Sequence, residues 1–262
     1  MTRRSLQPTS PTQQLASFAL AMHPALQWLD LGRSFYLHQW DTSGQLKQLL
    51  AHCQASYPNA RADYWPTRVW RQLIWQPVYL SVAAVHGLGL QVSAIQLEQV
   101  IVRDSVTGYR WLQEPQAAAD ENLALQQTAS ALAHFTQQLL QLFNRQTRVS
   151  AANCRGLVAD CIFFALAALQ PLLGREPIWL ANTGARWCAA AQLQDRRGRP
   201  LSQWQLEHSQ AGQLLSKSCC KSFLVDEQRY CGNCPLGTAR RQAQASIPTP
   251  TYTPKTQDQP QG

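Results

Sequence analysis

The sequence predicts a mostly α-helical α+β fold: a helical body with a small β-hairpin or sheet, closed by a C-terminal cysteine-rich segment. Three observations carry this. Apolar residues recur at helical spacing over long stretches, one window reads as two strands about a turn, and four of the eight cysteines fall between Cys219 and Cys234. A chain of 262 residues buries roughly 70 to 75% of its unfolded surface and needs no covalent staples to fold.

The elements follow in chain order. Residues 1–14 (MTRRSLQPTSPTQQ) are polar and read as a flexible N-terminus, without the long apolar run of a secretory signal. Residues 15–214 read as one helical body. In it, a helix is expected from Pro66 to His86, with Pro77 kinking or dividing it. Gln96 to Arg103 (QLEQVIVR) and Tyr109 to Gln113 (YRWLQ) flank Asp104 to Gly108, which predicts a hairpin near 96–113. From Ala117 to Arg145, Leu125, Leu132, Phe135, Leu139 and Leu142 form a core-facing stripe. Ala151 to Leu173 reads as a further helix, with Leu157, Cys161, Phe164 and Ala168 on one side and Pro171 marking its end. The apolar stretch Cys161 to Leu173, broken by Gln170 and Pro171, falls short of the ~20 residues that span a bilayer. Residues 215–241 hold the cysteine motif. The tail, 242–262, is rich in Pro, Gln and Thr and is expected to be disordered.

These features predict a cytoplasmic protein, where thiols stay reduced, so cysteines grouped this closely point to metal or redox chemistry rather than to disulfides. The net charge of +8 is unevenly placed. Nine basic residues against four acids lie between Ala185 and Arg241, a net of +5 around the cysteines. The Gly87-Leu-Gly89 pair lacks the third glycine of a dinucleotide fingerprint and no GK[ST] phosphate loop exists, so hydride and nucleotide chemistry have no visible home.

The motif itself, Ser218 to Leu236 (SCCKSFLVDEQRYCGNCPL), spells CC-x10-C-x2-C. Four thiolates satisfy either a tetrahedral zinc or the protein positions of a two-iron cluster. Cys231-Gly-Asn-Cys234 suits a tight knuckle turn, whereas adjacent Cys219 and Cys220 point to opposite sides of an extended chain. On spacing alone a zinc site, an iron–sulfur cluster and a thiol redox pair all stay open. The remaining cysteines, Cys53, Cys154, Cys161 and Cys188, lack partners at ligand spacing and are expected to be buried and inert. Asp160 reads as a helix-end or surface carboxylate.

A C-terminal CC-x10-C-x2-C followed by proline resembles the signature of ferric-siderophore reductases of the FhuF type. Two upstream segments, Val69 to His86 (VWRQLIWQPVYLSVAAVH) and Ile178 to Trp187 (IWLANTGARW), are similar to a tryptophan-bearing helical region and to a Trp/Asn/Thr/Gly segment of that family. The likeness spans roughly residues 65 to 236; the linker carries Asp226 and Glu227, and the Thr/Pro tail is additional.

The resemblance implies that 15–214 is a substrate-binding domain and 215–241 a cluster-binding segment. A 2Fe-2S cluster would be held by Cys219, Cys220, Cys231 and Cys234 and would reduce siderophore-bound Fe(III) by one electron, releasing Fe(II) in the cytoplasm. The expected substrate is a hydroxamate-type ferric siderophore, and loose peripheral association with the inner membrane is compatible with its delivery. With no flavin or nicotinamide motif, the electron must come from outside; an acidic ferredoxin-like protein fits the basic surround, and nucleic acid is not expected as a partner. Trp179, Asn182 and Arg186, before a helix, are the candidate substrate contacts, although Asn182 and Thr183 also make ordinary N-caps. Tyr64, Trp65, Trp70, Trp75 and Tyr79, with Arg68 or Arg71, could wall a chelate, but such a set in a helical body reads first as core. The alternatives to a reductase are a zinc-stapled binding module, with nucleic acid as its partner given the basic charge, and an iron–sulfur protein that binds siderophore or carries electrons without turnover.

Overall fold

The computed structural model describes residues 10–28, 34–36, 44–102, 105–202, 214, 216–225, 230–231, 233–234 and 236–237. The first nine residues and the 242–262 tail lie outside them. Among the described residues the helices are α1 (Pro11–Met22), α2 (Gln45–Ser56), α3 (Tyr64–Leu88), α4 (Glu121–Gln146), α5 (Ala151–Leu169) and α6 (Pro177–Ala190). The strands are β1 (Gln27–Trp28), β2 (Ser34–Tyr36), β3 (Leu90–Gln91), β4 (Leu97–Val102), β5 (Ser105–Trp111) and β6 (Gln116–Ala117). The fold is thus mostly helical with a small β region, as expected.

The boundary drawn at residue 14 is corrected by α1. Ser10 and Gln13 form a capping box, each side chain bonding the other's backbone N–H, and Pro11 occupies the first helical position. Polar composition hid a helix start, because the residues that cap helices are the same ones that fill loops.

Helix α3 is the centre of the body, packed against α1, α2, α4 and α5. Pro77 neither divides nor ends it. A proline there removes the N–H that would bond the Leu73 carbonyl. Gln99 of β4 replaces it: its Nε2 donates to Leu73 O at 3.2 Å and to Gln76 Oε1 at 3.3 Å, with Gln99 and Gln76 both buried. A strand side chain therefore satisfies the acceptor that the proline freed.

The larger sheet has the order β1-β5-β4-β2, with β1 and β5 parallel and the other pairs antiparallel; β3 and β6 form a second, two-stranded sheet. The β4–β5 hairpin confirms the expected element but moves its turn. Pairing continues to Val102↔Ser105, so 105–108 are strand rather than loop. The β-branched Val106 and Thr107 favour that outcome.

Helix α4 begins four residues later than its periodicity indicated, at the Asp120 cap, whose side chain accepts from Leu123 N at 2.8 Å. The expected stripe, Leu125, Leu132, Phe135, Leu139 and Leu142, is buried. Helix α5 is apolar on most of its faces, as a helix largely enclosed by others is, with Asn153, Arg155 and Asp160 its polar exceptions. It is long and apolar enough to cross a membrane, more so than the shorter stretch singled out in the sequence, yet 61% of that window is buried inside the molecule, chiefly against α3. Two close approaches lock the helices: a Cβ on Gly87 would fall 2.2 Å from Phe18, and one on Gly184 would fall 2.4 Å from Phe163.

Candidate metal centre

The cysteine strip lies across the start of α3 and the first half of α5. Asp160, buried on α5 rather than at a helix end or surface, accepts from Lys217 N at 2.9 Å and Ser218 N at 2.8 Å. Two turns back, Asn153 Nδ2 donates to Cys219 O at 3.3 Å. Between them stands Gly156, where any Cβ would collide with Ser218 Oγ at 1.8 Å. At the start of α3, Lys221 Nζ pairs with Asp63 Oδ2 at 3.3 Å and Arg61 N donates to Leu224 O at 3.3 Å. The strip is thus held by buried polar anchors on one side and a salt bridge on the other.

Within it, the two cysteine pairs are brought together. Ser216 N donates to Asn233 O at 3.0 Å, and Cys234 N donates to Cys231 O at 3.0 Å, closing the expected CxxC turn; Gly232 of that turn lies outside the described residues. Lys221 adopts the left-handed region at φ 60°, unusual for a residue with a side chain, and its N–H folds back onto Cys219 Sγ at 3.3 Å. Cys220 Sγ instead meets Ser222 Oγ at 3.1 Å and Cys231 Sγ at 3.4 Å. The adjacent cysteines therefore take different partners, as their opposed directions predict. Cys220 and Cys234 are buried, and Cys219 and Cys231 are partly exposed.

The sulfur–sulfur hydrogen bond with Cys231 holds the Cys220 thiol down to about 5, with the Ser222 hydrogen bonds and the Arg71 charge acting the same way against burial. Cys231 is pushed up by the same contact, by burial and by the neighbouring Cys220 and Cys234 sulfurs. Thiolate is the form of cysteine that binds metal. Two sulfurs on one tetrahedral zinc or iron stand about 3.8 Å apart at metal–sulfur distances near 2.3 Å, so the 3.4 Å pair needs to open by only a few tenths of an ångström. The donor set fits a soft metal or an iron–sulfur cluster. The contacts run as a chain, Cys220 to Cys231 to Cys234. Among the described residues no group of three or more His, Cys, Asp or Glu side chains shares one centre.

Beside Cys220 and Cys231 opens a cleft of about 340 Å³, walled by His23, Arg68, Arg71, Trp75 and Tyr79. Arg71, Trp75 and Tyr79 are four residues apart and lie on one face of α3. Tyr79 packs edge on against His23 and Trp75, and His23 is tilted against Trp75, with ring centroids 5.5 to 6.0 Å apart. Gln72 Oε1, in the same wall, is buried without a hydrogen-bond partner. Of the aromatic set read as core, Tyr64 and Trp70 are buried, while Trp75 and Tyr79 are only partly so and face the cleft.

Trp179, Asn182 and Arg186 are placed elsewhere. They lie inside α6, which starts at Pro177 after Glu176, so Asn182 and Thr183 are not caps. Trp179 packs edge on against His86 at 5.4 Å, Arg186 bonds Asn122 Oδ1 at 3.2 Å and approaches Glu121 Oε1 at 3.6 Å, and Asn182 is exposed. None of the three lines the cleft. Of the cysteines expected to be buried, Cys53, Cys154 and Cys188 are, whereas Cys161 is only half-buried and borders the cleft; burial pushes Cys154, Cys161 and Cys188 up to about 12. No known family model matches this chain.

Proposed function

We propose that this chain is an iron–sulfur reductase of ferric siderophores, with the cleft of α3 as its substrate site. The supporting observation is the juxtaposition of Cys220 and Cys231 with an aromatic and cationic cleft large enough for part of a bulky chelate. Arg68 and Arg71 supply positive charge for hydroxamate oxygens, and the Trp75 and Tyr79 rings supply a flat apolar wall for the chelate's carbon framework. Asp160 and Asn153 hold the cysteine strip, which keeps Cys220 and Cys231 at the cleft's edge. A 2Fe-2S cluster bound by Cys219, Cys220, Cys231 and Cys234 would supply one electron at a potential near roughly −400 mV. The substrate's Fe(III), held by hard oxygen donors, becomes weakly held Fe(II) on reduction and is released.

The test is anaerobic absorption and EPR spectroscopy before and after dithionite, with metal analysis and an Fe(II)-trapping assay on a ferric trihydroxamate. The expected result is a red-brown protein with two irons per chain, an EPR signal on reduction and Fe(II) release. A colourless protein with one zinc would overturn the reading in favour of a zinc-stapled module. Colour and an EPR signal without Fe(II) release would leave a non-catalytic iron–sulfur protein.

A further inference from the structure

A second cleft, of about 330 Å³, borders the same strip, and Ser218 lines both. The strip is a wall shared by the two. The first cleft is aromatic; the second carries Arg196, Arg197, Arg199 and Lys217 at its rim with one carboxylate, Asp195. Arg199 is neutralised by Asp195, Nη2 to Oδ2 at 2.9 Å. Among the described residues no carboxylate pairs with Arg196, Arg197 or Lys217, and Lys217 stands two residues from Cys219.

The cations are set on a built turn. Asp195 Oδ1 accepts from Arg197 N at 2.8 Å and Arg199 N at 3.0 Å, Gly198 supplies the positive φ of 75°, and Gln194 pairs with Pro200. The buried Leu193 and Leu201, joined by a 3.0 Å backbone bond, root the turn in the core. A preorganised cationic surface loses little entropy when a partner docks.

We propose that this basic cleft is the docking surface for a small acidic electron-carrier protein. The proposal rests on the redox reading of the cysteines and adds the entry side: one electron leaves the reduced carrier, which is oxidised, and Fe(III) in the other cleft is reduced, with no proton or group transferred. Nucleic acid fits less well. Three unpaired cations fall short of the roughly six to ten phosphate contacts of a duplex binder, and the Ala152, Gly156 and Leu201 lining of this cleft offers no ring for a base to stack on.

The experiment measures binding of the full chain to an oxidised, net-negative plant-type ferredoxin and, separately, to duplex DNA. The wild type is expected to bind ferredoxin at about 50 mM salt and to release it at about 0.5 M, as screened charges do. R196E/R197E should weaken that binding tenfold or more, and R196Q/R197Q by a smaller factor, both with unchanged circular dichroism. Unchanged affinity in both variants overturns the proposal, as does tighter binding of DNA than of ferredoxin. Binding does not require turnover, so this failure is separate from that of the reductase reading, which the colour and metal content decide.

Discussion

The Asp160 anchor allows the most direct test of how the cysteine strip is held. Its carboxylate accepts two backbone N–H groups, from Lys217 and Ser218, and is 3% exposed. Hydrogen bonds to a charged acceptor contribute about 1.5 to 3 kcal/mol each. Asp160→Asn keeps the shape but turns one acceptor into a donor facing an N–H and removes the charge from the other bond, a loss of about 3 kcal/mol. The helical body does not depend on those two bonds, so the loss falls on docking of the strip. At 1.4 kcal/mol per factor of ten, the strip should open about 100-fold more often. Cys220 and Cys234 are 7% and 2% exposed, so their alkylation by iodoacetamide should accelerate by about that factor, with protection lost at the Lys217 and Ser218 amides in hydrogen exchange. Far-ultraviolet circular dichroism should hardly change. Alkylation within threefold of wild type would refute the anchor, and collapse of the whole helical signal would show that Asp160 supports the body instead.

Other outcomes follow from single contacts. Gly156→Ala should displace Ser218 and lower metal content, and adding Ser218→Gly should restore it, since the clash is with Ser218 Oγ and Cβ; metal per chain is the readout. Gln99→Ala should cost about 1 to 3 kcal/mol in urea unfolding by leaving the Leu73 carbonyl unpaired beside Pro77. His86 is lowered to about 4, mainly by burial, with the Glu121 carboxylate opposing the shift. The unfolded state therefore binds the extra proton, so stability present above about 6.5 should fall as pH drops toward 4, and His86→Gln should flatten that slope. On the proposed function, Trp75→Ala with Tyr79→Ala should raise KM for a ferric trihydroxamate tenfold or more while leaving iron content intact.

The helical body was legible because its signals are local. The stripe from Leu125 to Leu142 is one face of one helix, and it is buried where its period put it. The β4–β5 hairpin was legible for the same reason, and its turn was misplaced because Gly108 reads as a turn residue while cross-strand pairing with Val100 decides its state. The α1 start went unread although Ser10-Pro11-Thr12-Gln13 spells its capping box. Arg71, Trp75 and Tyr79 show four-residue spacing, which puts them on one face but does not say whether that face meets core or cleft.

By itself the sequence determined the fold class and the principal helices, and it grouped four thiols in one segment, all consequences of periodicity and residue chemistry within a short window. Tertiary structure decided what lies next to those thiols. Asp160 and Ser218 are fifty-eight positions apart, and Gln99 rescues a carbonyl twenty-six positions away; no local pattern encodes such pairings, because a buried polar group takes its partner from whatever element packs against it. For that reason the sequence singled out Trp179, Asn182 and Arg186, which lie away from the cysteines, whereas the packing of α5 against α3 brings Trp75, Tyr79 and Arg71 beside Cys220 and Cys231.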